Sequence, residues 1–227
     1  MRQKWAMNAS MVLMMSQLMG GCSSTTWDAV YDTWELSGSG KKDAKLTDDY
    51  VRQLPYASLL VAIEPKVEAL MVLESINANQ LQWRANNGSV IVTEGGRVVS
   101  AQIEAINYRI IAAHNGIDPV RKEDWSYTHP YRLIMDMPHL GVYQQLFECR
   151  LSQSKPETQA FKTPLRTTQT HTYLEQCQLS DGRFNQQNLY WVDAGSKKVV
   201  KAKQHFHPKL PGAIVFSEAK PLGWPNR

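Results

Sequence analysis

The chain has 227 residues, with 25 Lys and Arg against 21 Asp and Glu, a formal net charge of +4. That balance is too even to argue for a surface built for nucleic acid, and none is expected as a partner. Its length suits one domain with a substantial core, and no second apolar run after the first 21 residues approaches the roughly 20 residues needed to cross a bilayer as a helix.

The N-terminus reads as a lipoprotein signal. Arg2 and Lys4 supply a positive start, and Met7 to Met19 supply a short apolar stretch broken by Asn8, Ser10, Ser16 and Gln17. Such a stretch is a secretory h-region rather than a membrane span. Leu18-Met19-Gly20-Gly21-Cys22 then places two glycines, the smallest residues available, before a cysteine. Met19 stands where such signals usually carry Leu. The expectation is cleavage after Gly21 and lipidation of Cys22, with Ser23 favouring the outer membrane and its periplasmic face. Acyl chains give stable anchoring because each buried methylene contributes about 0.8 kcal/mol. Loss of residues 1–21 removes only Arg2 and Lys4 from the charge balance.

Trp27, Val30, Tyr31, Trp34 and Leu36 are spaced as one face of a helix, so Trp27 and Trp34 are expected to pack on the domain or near the membrane surface. Residues 37–43 are a polar break, and Asp48 to Gln53 form a short second helix stopping before Pro55. The expected organisation is a signal over 1–21, an anchor, helix and linker over 22–55, and a β domain over 56–227.

From Tyr56 onward the pattern is of strands. Ala57–Ile63, Val67–Glu74 and Leu81–Ala85 come first. Asn86-Asn87-Gly88 is a hairpin turn, Ser89–Thr93 returns, and Glu94-Gly95-Gly96 turns again into Arg97–Ile103. Asn107–Asp118 reads as either helix or strand. Strands resume at Tyr131–Met137, Val142–Leu151, Thr170–Leu179, Asn188–Asp193, Val199–Phe206 and Gly212–Ser217, with Lys155–Thr168 read as an exposed loop. Many short strands with Gly and Asn turns predict a mainly β fold: a large antiparallel meander forming a sandwich or barrel, with a short N-terminal helical segment.

With Cys22 lipidated, Cys149 and Cys177 remain, and in an oxidising compartment an isolated pair is expected to form a disulfide. No nucleophile elbow, zincin motif or phosphate loop is present. His205-x-His207 has metal-like spacing on one strand face, but no third ligand is identifiable and Pro208 ends the strand, so neither metal nor cofactor is expected. Asp48-Asp49 reads as a helix start. Glu64, Glu94, Asp124 and Asp136 are carboxylates that nothing distinguishes as catalytic. Trp83 and Trp191 lie in alternating strands and are expected in the core. Trp125 and Tyr127, in a loop segment, are the better candidates for stacking on a sugar.

Three runs carry a family resemblance. They are Gln53-Leu54-Pro55-Tyr56-Ala57-Ser58-Leu59-Leu60-Val61, then Trp83 with Asn87-Gly88 and Thr93-Glu94-Gly95-Gly96-Arg97-Val98-Val99, and finally Tyr190-Trp191-Val192-Asp193 with Gly195, Lys198-Val199-Val200-Lys201 and Gln204. Together with the lipobox they resemble the YjbF/GfcB-type lipoproteins of group 4 capsule and exopolysaccharide operons. The resemblance covers most of the mature chain and rests on the order of the runs. It implies an outer-membrane lipoprotein with a large antiparallel β fold and a role in producing or exporting an extracellular polysaccharide. Only Cys22 carries over as a functional residue; the Cys149/Cys177 pair rests on the residues alone. The expected role is a non-enzymatic accessory factor whose partners are the membrane, through its lipid, and polysaccharide or outer-membrane export proteins. A polysaccharide-modifying hydrolase and a scaffold for a porin or assembly factor are the alternatives.

Overall fold

The computed structural model describes residues 47–63, 66–103, 106–182, 185–205 and 212–224. Cys22, the Thr25–Leu36 stretch, Glu64 and His207 lie outside them.

The described residues form one antiparallel β-barrel entered by a short helix. Helix α1 (Asp48–Gln53) starts at Thr47, whose Oγ1 accepts the Tyr50 N–H at 3.1 Å, and carries Asp48 and Asp49 in its first turn, where the helix dipole favours them. Its only buried residue is Val51. Strands β1 (Ser58–Ile63), β2 (Lys66–Asn77), β3 (Gln80–Arg84), β4 (Val90–Glu94), β5 (Arg97–Ile103), β6 (Ile106–Ala113), β7 (Tyr131–Met137) and β8 (Val142–Gln153) follow as a meander. Then come β9 (Gln159–Lys162), β10 (Thr167–Leu179), β11 (Asn185–Asp193), β12 (Val199–Gln204) and β13 (Ile214–Lys220). β13 pairs with β1, and β10 pairs with both β8 and β11, so the ring closes through every strand but β9. Closure removes the open edges that a flat sheet of this size would expose.

Val51 packs with Leu60 and Ala219 on the outer wall, while Leu59 and Val61 face the main core. That alternation along β1 fixes which face is inside. Buried Lys220 donates its ammonium to the carbonyls of Arg52 (3.1 Å) and Leu54, tying the helix end to β13.

The barrel is flattened. The β4–β5 hairpin turns on Gly95 and Gly96, with φ of 59° and 91°, the pair of left-handed conformations that a two-residue turn needs. A Cβ on Gly96 would lie 2.3 Å from the Val199 side chain across the ring, and Gln204 of β12 accepts the Val98 N–H at 3.1 Å. Facing walls therefore touch, so this barrel packs its core in the manner of a sandwich.

Three expectations change in the structure. Asn107–Asp118, open between helix and strand, is β6 followed by a tight 3-10 turn over His114–Gly116. The segment Lys155–Thr168 is not simply a loop: β9 takes the edge of β10 beyond the reach of β8, pairing Gln159 to Lys162 with Thr170 to Thr167, and Phe161 is buried. Trp191 is not in the core. Asn188, Tyr190 and Val192 take the inward parity on β11, which turns Trp191 outward, half-buried with the Lys201 ammonium 4.8 Å from its ring centre. Trp83 does lie in the core, donating its indole N–H to Thr93 Oγ1 at 2.9 Å.

Candidate functional site

The barrel interior holds a charged cluster that sequence reading missed. Arg97, Glu175 and Asp118 are all nearly inaccessible. Arg97 donates to both Glu175 oxygens and, through Nη2, to Asp118 Oδ1 at 3.0 Å. Its Nε lies 2.7 Å from Asp118 Oδ2, close enough for an ion pair but not aligned as a hydrogen bond. Glu175 also accepts from Asn188 Nδ2 at 2.7 Å, from the Tyr190 hydroxyl at 2.9 Å and from the Tyr131 hydroxyl. Asp118 accepts the backbone N–H groups of Val120 and Arg121. Two carboxylates face one guanidinium, and these backbone donors take up part of the second negative charge.

Burial opposes the Glu175 charge, but the Arg97 charge and the hydrogen bonds from Arg97, Asn188 and Tyr131 outweigh it, holding the carboxyl below the ordinary range. Burial disfavours the Arg97 cation in turn, and the charges of Asp118 and Glu175 more than restore it. Tyr131 and Tyr190 are pushed well up, mainly by burial, so both remain donors. A carboxyl with a lowered folded pKa stabilises the fold above its unfolded value and loses that contribution as pH falls through the folded one. Urea midpoints should therefore drop below about pH 4.3, the unperturbed Glu value. Glu175→Gln should start lower at pH 7 and decline less steeply on acidification. Parallel curves for the two proteins would show that Glu175 is not the titrating group.

The cluster anchors the connection between β6 and β7. Arg121 pairs with Glu94 at 2.6 Å beside the β4–β5 turn, where a Cβ on Gly95 would sit 2.4 Å from the Val120 carbonyl. Glu123 pairs with Lys198 at 2.5 Å at the β11–β12 turn. Those two turns are on opposite sides of the ring, so the connection crosses the barrel mouth. Trp125 lies in it, with its ring 4.9 Å from that of Tyr173 and its indole N–H donating to the Lys197 carbonyl at 2.9 Å. Tyr127 packs edge-on against Tyr131. Trp125 and Tyr127, the sequence candidates for glycan stacking, therefore hold this connection against the core cluster.

The other sequence candidates scatter. Glu94 pairs with Arg121, Asp124 caps the Ser126 N–H, and Asp136 holds Arg109 and the Gln144 N–H. His205 Nδ1 lies 2.8 Å from the Gln187 carbonyl. Cys149 and Cys177 face each other across β8 and β10 and are joined by a disulfide. Glu175 comes within 4.8 Å of both sulfurs, but sulfurs bonded to each other offer no thiolate to a metal.

Directly outside that disulfide is a groove of about 840 Å³ over the outer wall of β7, β8, β10 and β11. Its floor is built of cross-strand rungs. Arg132 stands beside Glu148, Glu148 beside Gln178, Arg150 beside Gln176, and Gln176 beside Gln187. Asn115, Ile117 and Pro130 of the β6–β7 connection also line it. Arg132 holds Glu148 at 2.6 Å. Arg150 has no ion-pair or hydrogen-bond partner among the described residues, and the same is true of the side-chain amides of Asn115, Gln176, Asn185 and Gln187. The alternation along β8 and β10 carries this signal, because a disulfide that sets Cys149 and Cys177 inward sets Glu148, Arg150, Gln176 and Gln178 outward.

A lidded, flattened antiparallel barrel with a polar groove on its wall defines the class of protein. The model of the family described as group 4 capsule polysaccharide lipoprotein GfcB, YjbF matches residues 26–213, and this chain belongs to that family. The uncharacterized lipoproteins YjbF and GfcB of Escherichia coli strain K12 are similar to it, at 28% identity over 112 residues and 24% over 103. Those matches cover 49% and 45% of this chain, and the chain spans about half the length of these curated relatives, 51% and 47%. The crystal structure of the hypothetical lipoprotein YmcC from Escherichia coli K12 has the same fold, with a TM-score of 0.66 at 16% identity, covering 78% of this chain and 90% of that one.

Proposed function

We propose that this protein is a lipid-anchored accessory factor at the periplasmic face of the outer membrane. In this reading it serves the production or export of a capsule or exopolysaccharide without catalysing a reaction, and it binds the polysaccharide or an export partner. Membership of the capsule polysaccharide lipoprotein family is the observation that carries the proposal. The chemistry of the barrel supports a binding role over a hydrolytic one. A glycosidase needs two carboxyls flanking the bond it breaks. Among the described residues Glu148 is the one carboxylate lining the groove and is held by Arg132, while Glu175 and Asp118 are sealed inside against Arg97.

The test is extracellular polysaccharide from a strain lacking the chain, complemented with wild type or with Cys22→Ala. The expected result is loss of polysaccharide, restored by wild type and not by Cys22→Ala. Unchanged polysaccharide in the deletion strain, while the system is expressed, would overturn the role. Full rescue by Cys22→Ala would overturn the anchor.

A further inference from the structure

We infer that the groove on the outer wall is a binding site for an anionic polysaccharide. Arg150 takes a carboxylate of the chain, and the amides of Gln176 and Gln187 take its neighbouring hydroxyls. The inference rests on the accessory reading only for the origin of the ligand; the site is argued from its own chemistry.

Each Gln or Asn amide offers a carbonyl acceptor beside two N–H donors, a set that matches adjacent hydroxyl groups, which both donate and accept. In this groove the amides of Asn115, Gln176, Asn185 and Gln187 are exposed and uncommitted among the described residues. The charge is equally specific. Glu148 is matched by Arg132, which leaves Arg150 as the uncompensated charge on the floor among the described residues. A guanidinium prefers a planar oxyanion that it can grip with two parallel hydrogen bonds, as a sugar carboxylate presents. A neutral glycan would leave Arg150 unused.

The groove suits a protein partner less well. Among the described lining residues Ile117 and Pro130 are the accessible apolar side chains, since Tyr131 and the two half-cystines are buried, and that is too little for the anchor that protein interfaces require. At the centre of the floor, Phe147–Cys149 and Gln176–Gln178 are paired to a strand on each side. A peptide therefore finds no open ladder to join there. The floor is also stiff, since the disulfide and the Glu175 cluster stand behind it. A preformed site of this kind loses little entropy on binding.

The experiment is calorimetric titration of the mature lipoprotein in detergent micelles with oligogalacturonate, with its methyl ester and with dextran. Saturable binding of oligogalacturonate is expected, weaker by about tenfold or more for the ester and for Arg150→Gln, the range that losing a charged hydrogen bond produces. Gln176→Ala combined with Gln187→Ala should weaken it likewise. Arg150→Lys should recover part of the affinity, and Lys155→Gln, a cation that does not line the groove, should bind as wild type. Unfolding midpoints near wild type would show that the exposed substitutions leave the fold intact. Equal affinity for acid and ester, no binding of any glycan, or equal losses in Lys155→Gln and Arg150→Gln would overturn the site.

The two proposals fail separately. If wild type restores polysaccharide to the deletion strain but the purified protein shows no Arg150-dependent binding of acidic glycan, the groove falls and the accessory role stands. If the purified protein binds acidic glycan through Arg150 but the deletion has no phenotype, the site stands and the role falls.

Discussion

Replacing Arg97 with Met should destabilise the protein by about 3–5 kcal/mol, the usual cost of stranding a buried charge. In a domain of this size that corresponds to a fall in Tm of about 6–20 °C. The residue is 1% exposed and is held by two carboxylates that are also nearly inaccessible. Met keeps the aliphatic stem but ends about two bonds short of the guanidinium, so the charge is lost and the space beside the carboxylates is left unfilled. Glu175 and Asp118 are then left in an apolar interior with no cation, and each must stay charged at high cost or take up a proton. Arg97→Lys should fall short of wild type too, because an ammonium cannot reach Asp118 and both Glu175 oxygens from one planar fork. The informative companion is the triple variant Arg97→Met, Asp118→Asn, Glu175→Gln. If the single variant fails through uncompensated charge, the triple should recover much of the loss. Thermal unfolding at pH 7 checks both. A single variant as stable as wild type, or a triple as weak as the single, would show that the ion pairs are not what holds this part of the barrel.

The second large effect is on the disulfide. Cys149 and Cys177 are 28 residues apart, which in the chain-entropy model corresponds to about 3.5 kcal/mol of stabilisation. Cys149→Ala with Cys177→Ala should lower Tm by about 7–14 °C. Wild type unfolded under reducing conditions should match it, which separates loss of the cross-link from loss of two sulfurs in the core. Because both cysteines are buried, the folded protein should resist reductant until it opens. A double variant as stable as the oxidised wild type would mean that the β8–β10 ladder alone supplies the constraint.

The position of each of these residues differs in how far it is legible from sequence. Glu175 was legible in principle: it lies two residues before Cys177, and strand alternation puts both on one face. A carboxylate sharing the face of a buried half-cystine needs a buried cation. Arg97 was not legible in the same way. Alternation counted back from Ile103 and Ala101 does reach Arg97, but the β4–β5 ladder shifts register on the way and Arg97 stands at the turn, so the count alone gives no warrant for a buried cation there. Asp118 comes from a connection whose course is set by contacts with two distant turns. Trp125 was correctly placed in that connection, yet its ring packs on Tyr173 and Tyr190, which are near it only in space.

Local chemistry was enough for the strands, their turns and the mainly β class. Pleat alternation and the left-handed tolerance of Gly and Asn act over a few residues and leave their mark directly in the chain. The cysteine pairing followed from two cysteines left in an oxidising compartment, and the family from the resemblance of the ordered runs. Closure of the ring, the flattening that brings Gly96 against Val199, the inward Arg97 and the outward Trp191 required the fold. Each depends on which strands meet across long sequence separations and in what register. A one-residue shift moves a side chain from core to solvent without changing any local propensity. The groove belongs to this second group: its exposed amides are ordinary in sequence and become a candidate site only where four strands place them side by side.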